Sequence, residues 1–337
     1  MCIRDRNTVM GSIGVAQHNI PIIHIEGCMR SYDWRMPEEK YRKTIDHLSD
    51  RIYTYLPSYK KQGLNEGISD GIIKVTGNPI VDILDEFKDL FDTGVNFLDD
   101  KVKNFIKEEE FALVTCHRRE NILSPKSFEN IINLLNATNK KVIFPMGYAT
   151  QRQLKDSGMK LNNNILAIDP IGYLEFIYLL KNSSYCLSDS GTVVEEACIL
   201  GIPTVQMRYS TERPEVYEVK SSIKFDPTIN NVNLEEIHLK AYELKNTVWN
   251  HPFGDGTASK VIVDDLIDLR GKTSSAGKKT KKDLKMGKAT LISLLGTNNT
   301  IKYADNLKLK IFKSLKIFGK KGDDFRETIN YILNRTK

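Results

Sequence analysis

The sequence predicts an α/β protein built from two doubly wound lobes with parallel sheets. Short apolar runs alternate with amphipathic segments along the chain, which is typical of βαβ units. The chain of 337 residues is long for one domain of average size, and 40% of its residues are hydrophobic, enough to build two cores. In such folds a ligand lies at the carboxyl ends of the strands, so we expect the site in a cleft between the lobes.

The order of the predicted elements follows from these apolar runs and from helix signals. Pro37 at a first helical position and Gly201 after a last one are typical start and stop signals. The polar stretch from about residue 82 to residue 107 is predicted to join the lobes. The predicted strands are residues 21–25, 52–55, 72–75, 111–115, 141–145, 165–168, 185–187 and 204–207. The predicted helices include residues 38–48, 128–137, 174–180 and 195–200.

Composition limits the class of protein. No stretch approaches the roughly 18 to 20 apolar residues of a membrane span, and the N-terminus lacks the charged and then apolar pattern of a signal peptide. We therefore expect a cytoplasmic protein. The five cysteines show no CxxC spacing and lie mostly in apolar segments, which favours buried thiols over disulfides or zinc ligands. Residues 271–337 are strongly basic whereas the preceding residues carry an acidic excess, which marks a boundary.

The most informative segment joins a predicted strand, a tight turn and a helix start at Ser190-Gly191. Free backbone N–H groups at the start of a helix attract an anion, and a glycine there lets a phosphate approach the backbone closely. Glu196, one turn inside the helix, could accept hydrogen bonds from ribose hydroxyls, and Arg213 could neutralise a diphosphate. Together these residues predict a nucleotide-sugar site.

Carboxylates and a histidine at other strand ends are candidates for the chemistry. Glu26 follows the first predicted strand and Glu38 lies at a helix start, so they could act as acid and base on opposite faces of a sugar carbon. His117 comes directly after the predicted strand 111–115 and precedes two arginines, a position from which it could stabilise an anionic leaving group.

Structural alternatives stay open for several of these residues. Thr192 and Glu195 have the spacing of a capping box, which would explain both without a ligand. Glu38 could serve only as favourable charge in the first turn of a helix, and Glu26 only as a surface loop acid. A lone histidine such as His117 more often has a structural role than a catalytic one.

Several ordered motifs between residue 7 and about residue 263 resemble those of the non-hydrolysing UDP-N-acetylglucosamine 2-epimerases. Thr192 stands where a second glycine is usual, and with the following Val-Val-Glu-Glu it looks closest to the branch that makes UDP-sugars for surface polysaccharides, including UDP-N-acetyl-L-fucosamine synthesis. The matching motifs are His24-Ile25-Glu26 and residues 37–42, 76–79, 116–121, 189–196 and 211–215.

The resemblance implies a glycosyltransferase-B-like pair of Rossmann-like lobes and a reaction in two stages. A base removes the C2 proton of the hexosamine as UDP leaves C1, and UDP then re-adds while C2 is reprotonated on the other face. No cofactor is implied; the partners are a UDP-sugar and, in the intact family member, a second copy. A glycosyltransferase of the same fold is the alternative.

The resemblance also implies roles for single residues. Glu26 and Glu38 would be acid and base, His117 would assist the leaving group, and Arg42 would contact the substrate. Diphosphate binding is implied for Ser190, Gly191 and Arg213, ribose binding for Glu196, and a uracil pocket near Tyr173 and Phe176.

The resemblance also predicts a truncated first lobe, because the family's chain begins with a further βαβ half. We expect residues 1–6 to be an artefact, residues 7–100 a partial N-terminal lobe, residues 101–263 the UDP-binding lobe and residues 264–337 a helical tail. Without a complete first lobe, little or no epimerase activity is expected, since a missing acid or base typically costs 10²–10⁴ in rate.

The tail resembles the carboxyl end of a farnesyl-diphosphate-type prenyl synthase. Asp264, Asp265 and Asp268 form a DDxxD pattern, which in that family binds Mg²⁺, and glycine-lysine motifs follow it. The alternative is an acidic helix start. Because the sequence lacks the required first DDxxD motif, the tail is predicted to be non-catalytic and the chain a chimera. A third hypothesis is a basic binder acting through residues 271–337, but its lysines repeat at helical spacing, so we expect neither a nucleic-acid nor a membrane partner.

Overall fold

The computed structural model of the protein describes residues 2–18, 20–107, 109–270, 302, 305–306 and 308–313. The first lobe holds a parallel sheet in the order β1-β2-β3, with His24 of β1 opposite Ile52 of β2. Its strands are β1 (Ile23–Ile25), β2 (Arg51–Thr54) and β3 (Ile73–Val75). Its helices are α1 (Cys2–Gln17), α2 (Pro37–Leu48) and α3 (Pro57–Asn65), and a 3₁₀ turn spans Asp70–Ile72.

The second lobe holds a parallel sheet of six strands in the order β6-β5-β4-β7-β8-β9. The chain starts at the middle of this sheet, runs to one edge, returns and continues to the other edge, so the strand order reverses between β4 and β7. In open parallel sheets a ligand lies at the carboxyl ends of the strands on either side of such a reversal. The strands are β4 (Phe111–Thr115), β5 (Lys141–Pro145), β6 (Ile165–Ile168), β7 (Tyr185–Ser188), β8 (Thr204–Met207) and β9 (Ser222–Phe225).

Helices connect the two sheets and cover the second. The connection is α4 (Pro79–Glu86), α5 (Lys88–Phe91), a 3₁₀ turn (Asp92–Phe97) and α6 (Asp100–Ile106). The helices of the second lobe are α7 (Arg119–Ile122), α8 (Pro125–Asn136), α9 (Tyr148–Ser157), α10 (Tyr173–Asn182), α11 (Gly191–Ile199), α12 (Glu215–Glu218) and α13 (Leu234–Leu244). A last helix, α14 (Ala258–Arg270), follows them.

The core of the second lobe lies on both faces of its sheet. Along β4, Ala112 and Val114 pack into one apolar cluster with Phe128 of α8, whereas Leu113 packs into a second cluster with Ile177 of α10. Alternate residues of a strand point to opposite faces, and helices on both faces make every position apolar. This explains why continuous apolar runs, rather than alternating ones, predicted these strands.

Helix α14 returns to the first lobe and is held there by Asp265. The Asp265 carboxylate accepts hydrogen bonds from Arg51 Nε, Tyr53 Oη and Lys74 Nζ, each at 2.8 Å, so it joins α14 to β2 and β3. Burial alone would raise the pKa of Asp265, but Lys74, Arg51 and Tyr53 hold it below its ordinary value. In the structure Asp265 of the Asp264-Asp265-Asp268 pattern is thus part of a salt-bridge network, and a Mg²⁺ role for the pattern stays a prediction. Within the part of the chain that the structure describes, no group of three or more His, Cys, Asp or Glu side chains is arranged to hold a metal ion.

Most predicted elements occur, with ends shifted by a few residues. The prediction missed β9 and α1, and α1 begins at Cys2, inside the residues expected to be an artefact. The stretch expected to be a polar connection is largely helical, and α14 runs without a break across the expected boundary between residues 263 and 264. Of the tail, residues 302, 305–306 and 308–313 are helical, and the other residues from 271 onward lie outside the described residues. None of the helices in the described ranges is long and apolar enough to cross a membrane.

Candidate active site

A cavity of about 1000 Å³ lies between the two lobes, beside the carboxyl ends of β1 and β4 and the start of α11. It is the place where the reversal of strand order in the second lobe predicts a ligand. Ser190 and Glu196 are not among its lining residues. The sequence-predicted residues that do line it are Glu26, Glu38, Arg42, His117, Gly191 and Arg213.

Glu26 is held in an uncommon backbone conformation at the end of β1. Its φ of 76° lies in the left-handed region, which is rare for residues other than glycine and costs on the order of 1–3 kcal/mol. The next residue, Gly27, has no room for a side chain, because a Cβ there would lie 2.2 Å from Cγ2 of Ile52. Glu26 Oε1 accepts a hydrogen bond from Arg213 Nη2 at 3.0 Å. The chain therefore turns sharply after β1 and presents the Glu26 carboxylate to the second lobe.

Glu38 and Glu39 share the first turn of α2 but do different things. Glu39 is fully buried and accepts hydrogen bonds from the backbone N–H groups of Ser31 and Tyr32 at 2.9 and 3.1 Å, so it fixes the loop before the helix. Glu38 is also buried, with 6% of its surface exposed, and it lines the cavity. Its position in the first turn of a helix favours its negative charge, so the structural and functional interpretations of Glu38 are compatible.

A cluster of four arginines surrounds the fully buried carboxylate of Glu212. Glu212 Oε1 lies 2.5 Å from Arg213 Nη1, 3.2 Å from Arg42 Nη2 and 3.4 Å from Arg118 Nη2. Glu212 Oε2 lies 2.9 Å from Arg208 Nη1. Burial alone would raise the pKa of Glu212, but the arginines, Arg208 foremost, hold it well below its ordinary value. We call these five residues the arginine cluster, and it places dense positive charge at one end of the cavity.

Asp189 fixes the loop that carries His117. Asp189 is fully buried at the end of β7, and its carboxylate accepts hydrogen bonds from the backbone N–H groups of His117 at 3.0 Å and Arg118 at 2.8 Å. It also accepts one from Asn121 Nδ2 at 3.1 Å. His117 Nδ1 lies 3.5 Å from Asp189 Oδ1, and His117 Nε2 is buried without a hydrogen-bond partner among the described residues. The imidazole therefore lines the cavity on a rigid loop, with one nitrogen available to a ligand.

The start of α11 does not contain the capping box of Thr192 and Glu195 that the sequence left open as an alternative. Ser190 is the N-cap residue, and its Oγ accepts the hydrogen bond from Val193 N at 3.5 Å. Thr192 is the second residue of the helix and is exposed, so it does not cap. Glu195 instead pairs with Arg213, with 2.8 Å between Glu195 Oε1 and Arg213 Nε. Spacing alone cannot decide which of two neighbouring hydroxyls caps a helix, because both can reach a free backbone N–H.

Gly191 is required by the position of Arg213. A Cβ at residue 191 would lie 2.4 Å from Arg213 Nη1, so any side chain there would displace the guanidinium group. Arg213 contacts three carboxylates, those of Glu26, Glu195 and Glu212. Burial raises the pKa of Glu195 to about 8, although Arg213 acts to lower it. Arg213 is therefore fixed from several sides where α11 begins.

Glu196 lies one turn into α11, away from the lining of the cavity. Tyr173, at the first position of α10, donates a hydrogen bond from its hydroxyl to Glu196 Oε1 at 2.7 Å. Burial raises the pKa of Glu196 to about 7. Tyr173 is 44% exposed, whereas Phe176 packs against the apolar core. The structure thus joins two of the residues predicted for the nucleoside end of a ligand.

Sequence reasoning assigned no role to three residues that organise this site, and it considered Arg118 only as a neighbour of His117. Arg208 directly follows strand β8, a position that could have indicated a functional role. Glu212 and Asp189 belong to motifs that had been recognised, but their roles depend on partners distant in the chain. Glu212, for example, pairs with Arg42 across 170 residues.

Comparison with known proteins gives one consistent result. The UDP-N-acetylglucosamine 2-epimerase of Methanococcus maripaludis is 38% identical over 274 residues, which is 77% of this chain and 72% of that protein. The UDP-2,3-diacetamido-2,3-dideoxy-D-glucuronate 2-epimerase of Pseudomonas aeruginosa is 33% identical over 271 residues, with 78% and 72% covered. The crystal structure of Methanocaldococcus jannaschii UDP-GlcNAc 2-epimerase in complex with UDP-GlcNAc and UDP is 33% identical, with a TM-score of 0.68 and 77% and 73% covered.

This likeness confirms the predicted fold class, a glycosyltransferase-B-like arrangement of parallel α/β lobes. The glycosyltransferase alternative for the function is not favoured, because these relatives are epimerases. The family model described as UDP-N-acetylglucosamine 2-epimerase matches residues 1–267, and with it this chain belongs to the UDP-N-acetylglucosamine 2-epimerase family.

Proposed function

We propose that the chain is a UDP-N-acetylglucosamine 2-epimerase, which interconverts UDP-GlcNAc and UDP-ManNAc, or a closely related pair of UDP-N-acetylhexosamines, for surface polysaccharide precursors. One observation carries this proposal. Two carboxylates from the first lobe, Glu26 and Glu38, share a single cavity with His117, Arg118 and Arg213 of the second lobe. Epimerisation by elimination needs a proton acceptor, a proton donor and stabilisation of a leaving diphosphate, and this cavity supplies all three kinds of group.

In the first stage, a carboxylate removes the proton from C2 of the sugar while the bond between C1 and the UDP oxygen breaks. The electron pair of the C2–H bond forms the C1=C2 double bond, which gives 2-acetamidoglucal and UDP. In the second stage, UDP re-adds to C1 and the other carboxylic acid delivers a proton to the opposite face of C2. We assign these two roles to Glu26 and Glu38 as a pair. The strained backbone of Glu26 supports this assignment, because such strain clusters at active sites.

Charge developing on the departing diphosphate requires cationic and hydrogen-bond donors. Arg213 and Arg42 belong to the arginine cluster, and the absence of a side chain at Gly191 lets the Arg213 guanidinium lie against the start of α11. We propose that they bind the diphosphate, with Ser190 acting through the helix start that it caps. His117 is proposed to assist the leaving group through its available ring nitrogen.

The nucleoside end is proposed to lie beside α10. Glu196 and Tyr173 are hydrogen-bonded there, and an ionised Glu196 can accept hydrogen bonds from ribose hydroxyls. The lobe boundaries at residues 7–100 and 101–263, the low activity of this chain, the homodimer and the cytoplasmic location stay predictions.

Proton exchange with solvent tests the proposal directly. UDP-GlcNAc incubated with the chain in D₂O should lose its C2 proton signal in ¹H NMR while UDP-ManNAc appears, because each reprotonation then delivers deuterium. Exchange accumulates with time, so it reports even slow turnover. UDP-glucose, which lacks the 2-acetamido group, serves as the control sugar. Transfer of the sugar to an acceptor without exchange at C2 would contradict the proposal.

A further inference from the structure

The carboxylate at the centre of the arginine cluster has no part in the proposed reaction. Glu212 is fully buried in the segment between β8 and α12. A single oxygen, Oε1, faces the guanidinium groups of Arg42, Arg118 and Arg213 at 3.2, 3.4 and 2.5 Å. All three arginines line the cavity. One carboxylate oxygen is thus shared by three cavity arginines.

Guanidinium groups that converge on one point repel one another unless a counterion lies between them, and the repulsion is stronger in a buried site than in water. Glu212 supplies that counterion, and its charge-assisted hydrogen bonds also fix the direction of each guanidinium. Without Glu212, Arg213 keeps Glu26 and Glu195 as partners, and Arg118 keeps Glu120 at 3.9 Å. Arg42 loses its ion pair with Glu212, which joins it to the second lobe.

The cluster also leaves donors free. Arg42 Nη1 and Arg118 Nε are buried and lack a hydrogen-bond partner within the described ranges. A buried donor without a partner is costly, and an anion entering the cavity can satisfy it. Glu212 therefore holds the arginines in place while part of their hydrogen-bonding capacity stays available to a ligand.

We propose that Glu212 is a positioning residue for the nucleotide diphosphate, which it serves by holding Arg42, Arg118 and Arg213 in a binding arrangement before the ligand arrives. Arg42 comes from α2 of the first lobe whereas Glu212 belongs to the second. The same carboxylate therefore also joins the two lobes at the cavity. This inference rests on the proposed function, because the diphosphate of a UDP-sugar is the anion concerned.

The test compares a ligand that carries the diphosphate with one that does not. Glu212→Asp keeps the charge but withdraws the carboxylate by one methylene. We expect it to weaken UDP binding to the full chain at least tenfold by isothermal titration calorimetry. Uridine binding, measured by saturation-transfer NMR, should stay within twofold, because uridine has no diphosphate. Glu215→Asp is the matched control: Glu215 is buried at the start of α12, three residues after Glu212, but pairs with Tyr59 Oη, so UDP binding should not change.

Each outcome separates the two proposals. A wild-type chain that does not bind UDP overturns the proposed function and this inference with it. A wild-type chain that binds UDP, with a Glu212→Asp variant that binds it equally well, overturns only the inference. Should Glu212→Asp lose uridine binding as well, Glu212→Gln, which keeps the side-chain length, takes its place with the same expected loss of UDP binding. Loss of uridine binding in both variants overturns the inference, because Glu212 then supports the whole fold.

Discussion

The two lobes differ in how completely they bury their own sheets. In the second lobe every residue of β7 and β8 is buried, and the helices on both faces complete two apolar clusters. In the first lobe β1 is an edge strand that leaves Ile23 and Ile25 exposed by 43% and 45%. The second lobe therefore buries its sheet in two large clusters, whereas the first has one smaller apolar cluster around β2 and α3 and depends more on what the rest of the chain packs against it.

Contacts with the second lobe and with α14 stabilise the first lobe, and a small part of the chain makes them. Ser210 Oγ donates to Asp33 Oδ2 at 2.8 Å, and Arg213 Nη2 donates to Glu26 Oε1 at 3.0 Å. Helix α14 adds the contacts of Asp265 with β2 and β3. The self-contained lobe carries the arginine cluster's buried carboxylate, and the dependent lobe carries the proposed acid and base. Diphosphate binding and proton transfer are thus proposed to lie mainly in lobes that differ in how fully they bury their sheets, and this division can be tested.

The largest expected effect is on the chemistry supplied by the first lobe. Glu38→Gln removes a proposed acid or base, so C2 proton exchange should fall by about 10²–10⁴-fold. UDP binding should stay within about threefold, because the proposed diphosphate and ribose contacts come mainly from the second lobe. Exchange is measured by NMR in D₂O and binding by calorimetry. Exchange at the wild-type rate would remove Glu38 from the mechanism.

A core substitution in the second lobe should destabilise the whole molecule. The ring of Phe128 in α8 is fully buried, so Phe128→Ala leaves a cavity in its place. The substitution should lower the free energy of unfolding by about 3–5 kcal/mol. Because the first lobe depends on the second, both should unfold in one urea transition shifted to lower concentration. Ile25→Ala on the exposed face of β1 is the control, with an expected change within about 0.5 kcal/mol. Equal destabilisation by both variants would contradict the comparison between the lobes.

Breaking the anchor of α14 should affect the first lobe alone. Asp265→Asn removes the charge that pairs with Arg51 and Lys74, which should destabilise β2 and β3 locally by about 2–3 kcal/mol. Hydrogen–deuterium exchange should speed up in residues 51–54 and 73–75 and not in residues 141–145. Asp264→Asn, at an exposed position of the same helix, is the matched control and should change neither. Faster exchange throughout the second sheet would show that the anchor serves both lobes.

The strands of the second sheet were largely predictable because burial on both faces makes them continuous apolar runs. The predicted residues 111–115, 141–145, 165–168 and 204–207 are those observed. The edge strand β9, Ser-Ile-Lys-Phe, mixes polar and apolar residues and carries no such run. Helix α1 was missed because its apolar residues follow no helical period. Edges and termini depend on tertiary contacts, which a single sequence does not reveal.

Prediction of the functional site from the sequence has the same limit. Most of the proposed site residues could be predicted one at a time, since each lies at a strand end or a helix start. The arginine cluster could not, because Arg42 and Glu212 meet across 170 residues. The DDxxD pattern shows a related limit. Carboxylates at that spacing suit a metal site or a salt-bridged helix equally well, and the three partners of Asp265 lie far from it in the sequence.

The smallest expected effect is a pH dependence in the second lobe. Burial raises the pKa of Glu196 from 4.5 to about 7, so this carboxyl is largely protonated at pH 6 and largely ionised at pH 8. The ionised form is the better acceptor for ribose hydroxyls, and affinity for UDP-GlcNAc should rise by about three- to tenfold over that range. UDP-GlcNAc is the ligand to use, because the terminal phosphate of UDP itself titrates at about pH 6. Glu196→Gln should remove the dependence.

The same group should affect the free chain in the opposite direction, which separates binding from folding. A carboxyl whose pKa is raised on folding stabilises the folded state fully below its ordinary pKa of 4.5, and this contribution is lost as the pH rises through about 7. The unliganded wild type should therefore lose stability relative to Glu196→Gln between pH 5 and pH 8, while its affinity for UDP-GlcNAc increases. Thermal melting with and without ligand measures both trends. If affinity and stability changed in parallel with pH, titration of Glu196 would not be their cause, and its proposed contact with the ribose would lose its support.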